Sequence, residues 1–418
     1  MKITSARLRG REGLWTIQVG ETIESIVPAG KDSPTVDNAA GGETFDAGGA
    51  LVTGQFAENH IHLDYAYSAG TPRENKSGTL FEAIDIWADR KRGGHQNHDG
   101  IKANALAAAK SAVSYGMGFI RTHVDVTDPD LTAFYALREL REEIADWVDL
   151  QLVAFPQNGI FAFEGGAALM ERAMAEGADV VGGIPHLEPS YELGTESVRF
   201  IFDLAEKYDA RVDVHCDEID DANSRFIDDL TNETRARGMQ GRVTAGHAVA
   251  MGYYPPGYMA RLLPKLVEAD MAFAIAPNEN LQLQGRDMAP PVPRGVAPIK
   301  QLVDAGLSVA FCQDSISDPW YPVGVGDPVR NLDSGLHVGH MLGADYLDRA
   351  LDFIQVNPSR NLGVSEENSL IEGGPANLLV LDAQSDRDVV RFHPTVLLSI
   401  HNGKEVFRAQ PASYTWSI

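Results

Sequence analysis

Cysteine is nearly missing from this chain: its 418 residues hold two, Cys216 and Cys312. Each lies inside a strand-like run or at its end, where a small apolar thiol packs well in a reducing compartment. Neither a disulfide nor a catalytic role is assigned to them. Long apolar runs are missing too. No stretch reaches the ~18 residues that a membrane span needs, and Met1 to Arg7 lacks the charged-then-apolar pattern of a signal peptide. A cytoplasmic protein without membrane contact is expected. Basic charge is scarce, with 35 Lys and Arg against 59 Asp and Glu and a net charge of −24. A field of that sign repels a polyanion at long range, which argues against a nucleic acid polymer and leaves small neutral molecules unpenalised.

The chain has 44% hydrophobic residues, the composition of an ordinary globular protein with a substantial core. Its two ends read as strands. Lys2 to Leu8, Leu14 to Val19 and Thr22 to Pro28 open it, Ala376 to Leu381 returns, and Asn402-Gly403 predicts a type I′ hairpin between two further runs. Neither end has enough strands for a core of its own, so residues 1–50 and 366–418 are expected to build one small β-sandwich domain together. Between them, over 51–365, strands alternate with helical stretches, the pattern of a parallel sheet. Eight strands are expected, over 51–62, 118–126, 148–157, 179–185, 211–215, 242–247, 271–276 and 307–314. Helical stretches over 101–115, 167–176 and 299–305 stop at Gly116, Gly177 and Gly306. Eight such units predict an α/β fold, a (β/α)8 TIM-like barrel. A doubly wound open sheet is the alternative, but no Gly-rich phosphate turn follows the first strand.

In such a barrel, function sits at the C-terminal strand ends. Polar residues gather there: His60 and His62, His123 and Asp125, Gln157, His186, His215 with Glu218 just beyond, His247, and Asp314. His60 and His62 alternate around Ile61, so both imidazoles leave one face of the strand and can grip one metal ion. His95, His98, His337, His340, His393 and His401 scatter over helices and loops and read as structural. Three imidazoles and one carboxylate, from His60, His62, His215 and Asp314, suffice for a divalent metal, Fe2+ or Zn2+, with a place left for water.

This order of residues resembles the amidohydrolase superfamily and, within it, the bacterial cytosine deaminases. The segments that carry the likeness are Glu58–Asp64, Ser77–Glu82, Arg121–Val126, Val153–Gln157, Val214–Asp221 and Asp318–Pro322. Some members bridge two metals with a carboxylated lysine on strand four. The run Asp179–His186 has no lysine, so a single metal ion is implied. The resemblance implies hydrolytic deamination of a free base. Glu218 protonates ring N3 while hydroxide adds at C4, and Asp314 and His247 manage the proton that leaves with ammonia. Gln157 would read the O2/N3 edge, Trp320 would wall the ring, and the Leu80 carbonyl in the covering loop 71–87 would meet N1–H. His123 and His186 are expected behind the ligands, and Asn278 and Arg286 have no assigned role.

One departure bears on substrate. Where the cytosine deaminases carry a second aspartate after the metal aspartate, this chain has Ser315; Gln313 stands in place of a histidine, and Gly246-His247-Ala248 replaces a more hydroxylated run. A hydroxyl in place of a carboxylate frees room for about one methyl group beside the base, which points to 5-methylcytosine or another 5-substituted cytosine. Deamination or ring hydrolysis of another small nitrogen heterocycle (a triazine, isoguanine, a creatinine-like cyclic amidine) is the alternative activity. A non-enzymatic ligand-binding protein is disfavoured by the intact ligand set with Glu218. The sequence leaves open whether the chain forms a homo-oligomer.

Overall fold

The structure is a computed structural model that describes every residue except 31–42, 287, 290, 291, 412, 414 and 418. The N-terminal segment supplies β1 (Lys2–Leu8), β2 (Trp15–Val19), β3 (Ile23–Pro28), β4 (Thr44–Asp46) and β5 (Leu51–Thr53). Eight strands follow: β6 (Phe56–Ile61), β7 (Met117–Asp125), β8 (Asp149–Phe155), β9 (Val180–Gly183), β10 (Arg211–Cys216), β11 (Val243–His247), β12 (Ala272–Ile275) and β13 (Ser308–Phe311). The C-terminal segment returns with β14 (Leu378–Leu381), β15 (Val396–His401) and β16 (Lys404–Arg408).

Strands β6 to β13 pair in chain order, all in parallel. The sheet closes on itself through a parallel bridge between Ile61 and Asp314. There the Asp314 N–H donates to the His60 carbonyl at 2.9 Å, and the His62 N–H donates to the Asp314 carbonyl at 2.8 Å. The expected (β/α)8 barrel is thus present, and its seam is sewn by the backbones of the residues whose side chains form the site. Helices pack their apolar stripes on the outside. The helix His98–Ser114, for example, turns Ile101, Ala105, Ala108 and Ala112 inward, where small side chains allow close approach to the sheet.

The termini pair as β16-β15-β14-β5-β1-β2-β3, with β4 beside β1. Ile17, Ile23 and Ile26 meet Val380, Leu398 and Ile400 in one apolar core, as a sandwich requires. The hairpin at Asn402-Gly403 has φ of 47° and 77°, both positive, as a type I′ turn demands.

The strand expected over Leu51–His62 is two strands. Its first half, β5, pairs with β1 and β14 in the terminal sheet, and only its second half enters the barrel. The break falls at Gly54-Gln55. A Cβ on Gly54 would lie 2.6 Å from the Asn368 carbonyl oxygen. The buried Gln55 side chain binds the terminal sheet instead, donating to Ser399 Oγ at 2.9 Å and meeting His401 Nδ1 at 2.8 Å. The fourth barrel strand is also shorter than expected, because Pro185 has no N–H for the ladder and opens a single 3-10 turn, Pro185–Leu187, that carries His186.

Candidate metal and substrate site

Three ring nitrogens converge at the C-terminal end of the barrel. His60 Nε2 and His62 Nε2 lie 3.2 and 3.1 Å from His215 Nε2. Asp314 Oδ1 stands 3.6 Å from His60 Nε2 and 3.5 Å from His62 Nε2. Bonds of ~2.0–2.1 Å from four donors to one ion give donor separations of roughly 3.4 Å, and the four separations above lie close to that value. Burial, reinforced by the neighbouring histidines, pushes all three imidazoles well below their usual range, and neutral imidazole is the form that binds a metal. At most one proton can be shared among nitrogens that close, and a common cation relieves the remaining repulsion.

His247 joins His60, His215 and Asp314 in a second possible set of metal-binding atoms. Its Nε2, however, faces the other carboxylate oxygen, Asp314 Oδ2, at 3.7 Å, and its Nδ1 is 3.2 Å from Asn280 Nδ2. An amide donor at Nδ1 leaves the ring proton on Nε2, aimed towards Asp314. His62 shares Asp314 Oδ1 with His60, so two overlapping donor sets meet at this carboxylate. Both Asp314 and His247 hold left-handed backbone, with φ of 62° and 60°, the kind of strained conformation that clusters at functional sites. Gly246 makes room for the cluster, since a Cβ there would sit 2.9 Å from His60 Cε1.

A second layer supports the first. Glu58 accepts from the backbone N–H groups of His60 at 2.9 Å and Gln313 at 2.8 Å, tying β6 to the end of β13. Below the histidines, the buried Arg121 binds Asp213 Oδ2 at 2.9 Å, while Asp213 Oδ1 faces His123 Nε2 at 3.4 Å and His60 Nδ1 at 3.9 Å. His123 is thus behind the cluster, as expected.

Above the cluster lies a small cavity bordered by Leu80, Gln157, Glu218, Ser315 and Trp320. All the residues expected in the site are therefore brought together, and His186, expected behind the ligands, instead borders the cavity. Burial pushes the Glu218 carboxyl up to about 8, against a hydrogen bond from Gln284 that lowers it. Its Oε1 accepts from Gln284 at 3.3 Å and Asn280 at 3.5 Å, and lies 3.7 Å from His247 Nδ1. Tyr65 was not singled out in the sequence, where an aromatic after the motif reads as core. It stacks between the His62 and Trp320 rings, 4.6 and 4.9 Å away, and its hydroxyl donates to Gln157 Oε1 at 2.6 Å. The Gln157 amide thereby presents Nε2 as its free end. Gln313 donates to the Ser315 carbonyl at 3.3 Å, shaping the loop that follows the aspartate.

The cover is a loop and helix between β6 and β7. Thr79 caps the helix Leu80–Arg92 by accepting from the Glu82 N–H, which sets Leu80 as its first residue, over the cavity. Asp125 anchors the far half, accepting from Trp87 Nε1 and Lys91 Nζ, each at 2.8 Å. Arg286 clamps the near half, donating to the Ser77 carbonyl at 2.8 Å and the Gly78 carbonyl at 3.0 Å. Asn278 instead donates to Asn331 at 3.0 Å.

A surface groove of about 750 Å3 lies in the terminal domain beside Phe45, Phe392 and Arg408, and no histidine lines it among the described residues. Among the described residues no helix is long and apolar enough to cross a membrane.

Residues 43–407 match the Amidohydrolase family. The structure is similar to that of 5-methylcytosine deaminase from Klebsiella pneumoniae liganded with 5-fluorocytosine, at 45% identity and a TM-score of 0.95, over 100% of this chain and 99% of that one. N-isopropylammelide isopropylaminohydrolase from Burkholderia multivorans is similar at 27% identity and a TM-score of 0.81, over 97% of this chain and 98% of that one. In sequence, N-isopropylammelide isopropyl amidohydrolase of Pseudomonas sp. (strain ADP) is 27% identical over 370 residues, 88% of each chain.

Proposed function

Because the chain belongs to the amidohydrolase family, we propose that it is a metal-dependent deaminase of free cytosines. It converts cytosine, or a 5-substituted cytosine such as 5-methylcytosine, to uracil or thymine with release of ammonia. The observation that carries this reading is the Glu218 carboxyl, pushed up to about 8 in the wall of a small cavity that His62, His215 and Asp314 also line.

His60, His62, His215 and Asp314 would hold one ion, Fe2+ or Zn2+. When bound, such an ion supplies a water acidic enough to serve as nucleophile at neutral pH. Glu218 carries a proton at neutral pH and delivers it to ring N3, which makes C4 electrophilic. As water adds to C4, Asp314 takes one of its protons, and the His247 Nε2–H holds the incoming oxygen beside that carboxylate. The proton on Asp314 leaves with ammonia, and the second water proton restores Glu218. Gln157 donates its free Nε2–H to O2, the Leu80 carbonyl meets N1–H from the cover, and Trp320 lies against the ring. The two free, buried thiols suit a reducing compartment, which supports a cytoplasmic site of action.

Ser315 sets the preference among cytosines. A methyl group in an apolar pocket changes kcat/KM by roughly 10- to 200-fold at most. The native protein is expected to take 5-methylcytosine at least as well as cytosine, and Ser315→Asp to shift the ratio towards cytosine. A strong native preference for cytosine, or a ratio that ignores Ser315→Asp, would contradict this assignment. The 27% identity to N-isopropylammelide hydrolases keeps a triazine reading open to test: release of an alkylamine, with no ammonia from any cytosine, would favour it.

A further inference from the structure

Glu279 has no part in the chemistry above, yet it borders the same cavity. It stands in the first turn of the helix Pro277–Leu283, just past β12, and only 2% of it is exposed. Its Oε1 accepts from Ser315 Oγ at 3.0 Å, and its Oε2, also buried, has no partner among the described residues. Leaving a buried polar atom unpaired costs ~1–3 kcal/mol, so an orphan in the wall of a binding cavity marks a contact that a ligand completes.

The barrel's symmetry says which part of the ligand that is. Gln157 follows β8 and Glu279 follows β12, four strands apart in a ring of eight, so they stand on opposite sides. In a pyrimidine, C5 lies across the ring from C2. A base with O2 on Gln157 therefore turns its 5-position towards Glu279 and Ser315. Burial, together with the carboxyls of Asp314, Asp318 and Glu218, pushes Glu279 well above the usual carboxylate range, and a hydroxyl on the ligand can pair with Oε2 either as donor or as acceptor.

We propose that Glu279 contacts the substrate at its 5-position through Oε2, and that the enzyme therefore accepts cytosines whose 5-substituent carries a hydrogen-bonding oxygen, with 5-hydroxymethylcytosine as the simplest case. This rests on the deaminase reading and on the pose given by Gln157.

The test is kcat/KM, by ammonia release, for cytosine, 5-methylcytosine and 5-hydroxymethylcytosine in the native protein, Glu279→Gln, Glu279→Leu and Glu279→Ala. The ratio of hydroxymethyl to methyl substrate cancels any loss of folded enzyme. It is expected to fall roughly tenfold or more in the Leu and Ala variants and to stay within about threefold of native in the Gln variant, whose amide keeps a donor. A ratio unchanged in the Leu and Ala variants, or a native enzyme that turns over 5-methylcytosine but not 5-hydroxymethylcytosine, would overturn the role of Glu279 alone. No ammonia from any cytosine in the native protein would overturn it together with the deaminase reading.

Discussion

The joint between the terminal domain and the barrel, and the mouth of the barrel, both bury polar side chains, but they satisfy them differently. At the joint, Arg9 donates to both Asp386 oxygens at 2.9 and 2.7 Å, to Asp352 at 2.8 Å and to Gln355 at 3.3 Å. Every nitrogen of that guanidinium is used. At the mouth, His247 Nε2, Glu279 Oε2 and Asp318 Oδ2 are buried with no hydrogen-bond partner among the described residues. Two glutamates sharpen the contrast. Burial pushes Glu58 and Glu218 each up to about 8, yet Glu58 is met by backbone N–H groups that lock two strands, whereas Glu218 borders the cavity. Burial alone does not distinguish a strut from a reacting group; the direction in which the unused valence points does.

The largest effects should come from the convergent donors. His60→Ala, His62→Ala, His215→Ala or Asp314→Ala leaves three donors for the ion, and each is expected to lose bound metal by elemental analysis and to abolish turnover. Full activity in any one would remove that residue from the set, and two tightly bound ions per chain would contradict the single site. Next comes Glu218→Gln, which keeps the shape but cannot relay a proton. It should lose roughly 10²-fold or more in kcat while melting at or above the native temperature, because a neutral amide replaces a buried acid. The smallest effect on catalysis is expected at the joint. Arg9→Ala should destabilise the fold by about 2 kcal/mol, since it strands the Asp386 carboxylate, while kcat per folded molecule stays near native. If Arg9→Ala impaired kcat as Glu218→Gln does, or if Glu218→Gln unfolded the protein, the division between strut and reacting group would fail.

Much of this was legible in the sequence because strand periodicity and histidine placement coincide. His60 and His62 alternate around Ile61, and His215, His247 and Asp314 each end a strand-like run, so the barrel and the proposed ligands were read from one pattern together with the family resemblance. What escaped has physical causes. Leu51–Thr53 and Phe56–Ile61 are both continuously buried and separated by two residues, so they read as one strand although they serve different sheets; the polar Gln55 between them was the one local signal. Glu279 and Asn280 lie in a short helix after β12, where an Asn-Glu-Asn run reads as a polar surface turn. Only the tertiary fold places them against Ser315 and His247. Arg286 had no assigned role, because beyond the neighbouring Gln282 carbonyl its acceptors are backbone carbonyls more than two hundred residues earlier.

The central claim is hydrolytic removal of the 4-amino group, and isotope transfer tests it most directly. Metal-loaded protein incubated with 5-methylcytosine in 18O-labelled water should yield one ammonia per thymine, with one 18O atom at C4 and the ring intact. Labelled ring-opened product, or no label and no ammonia from any cytosine, would contradict the account.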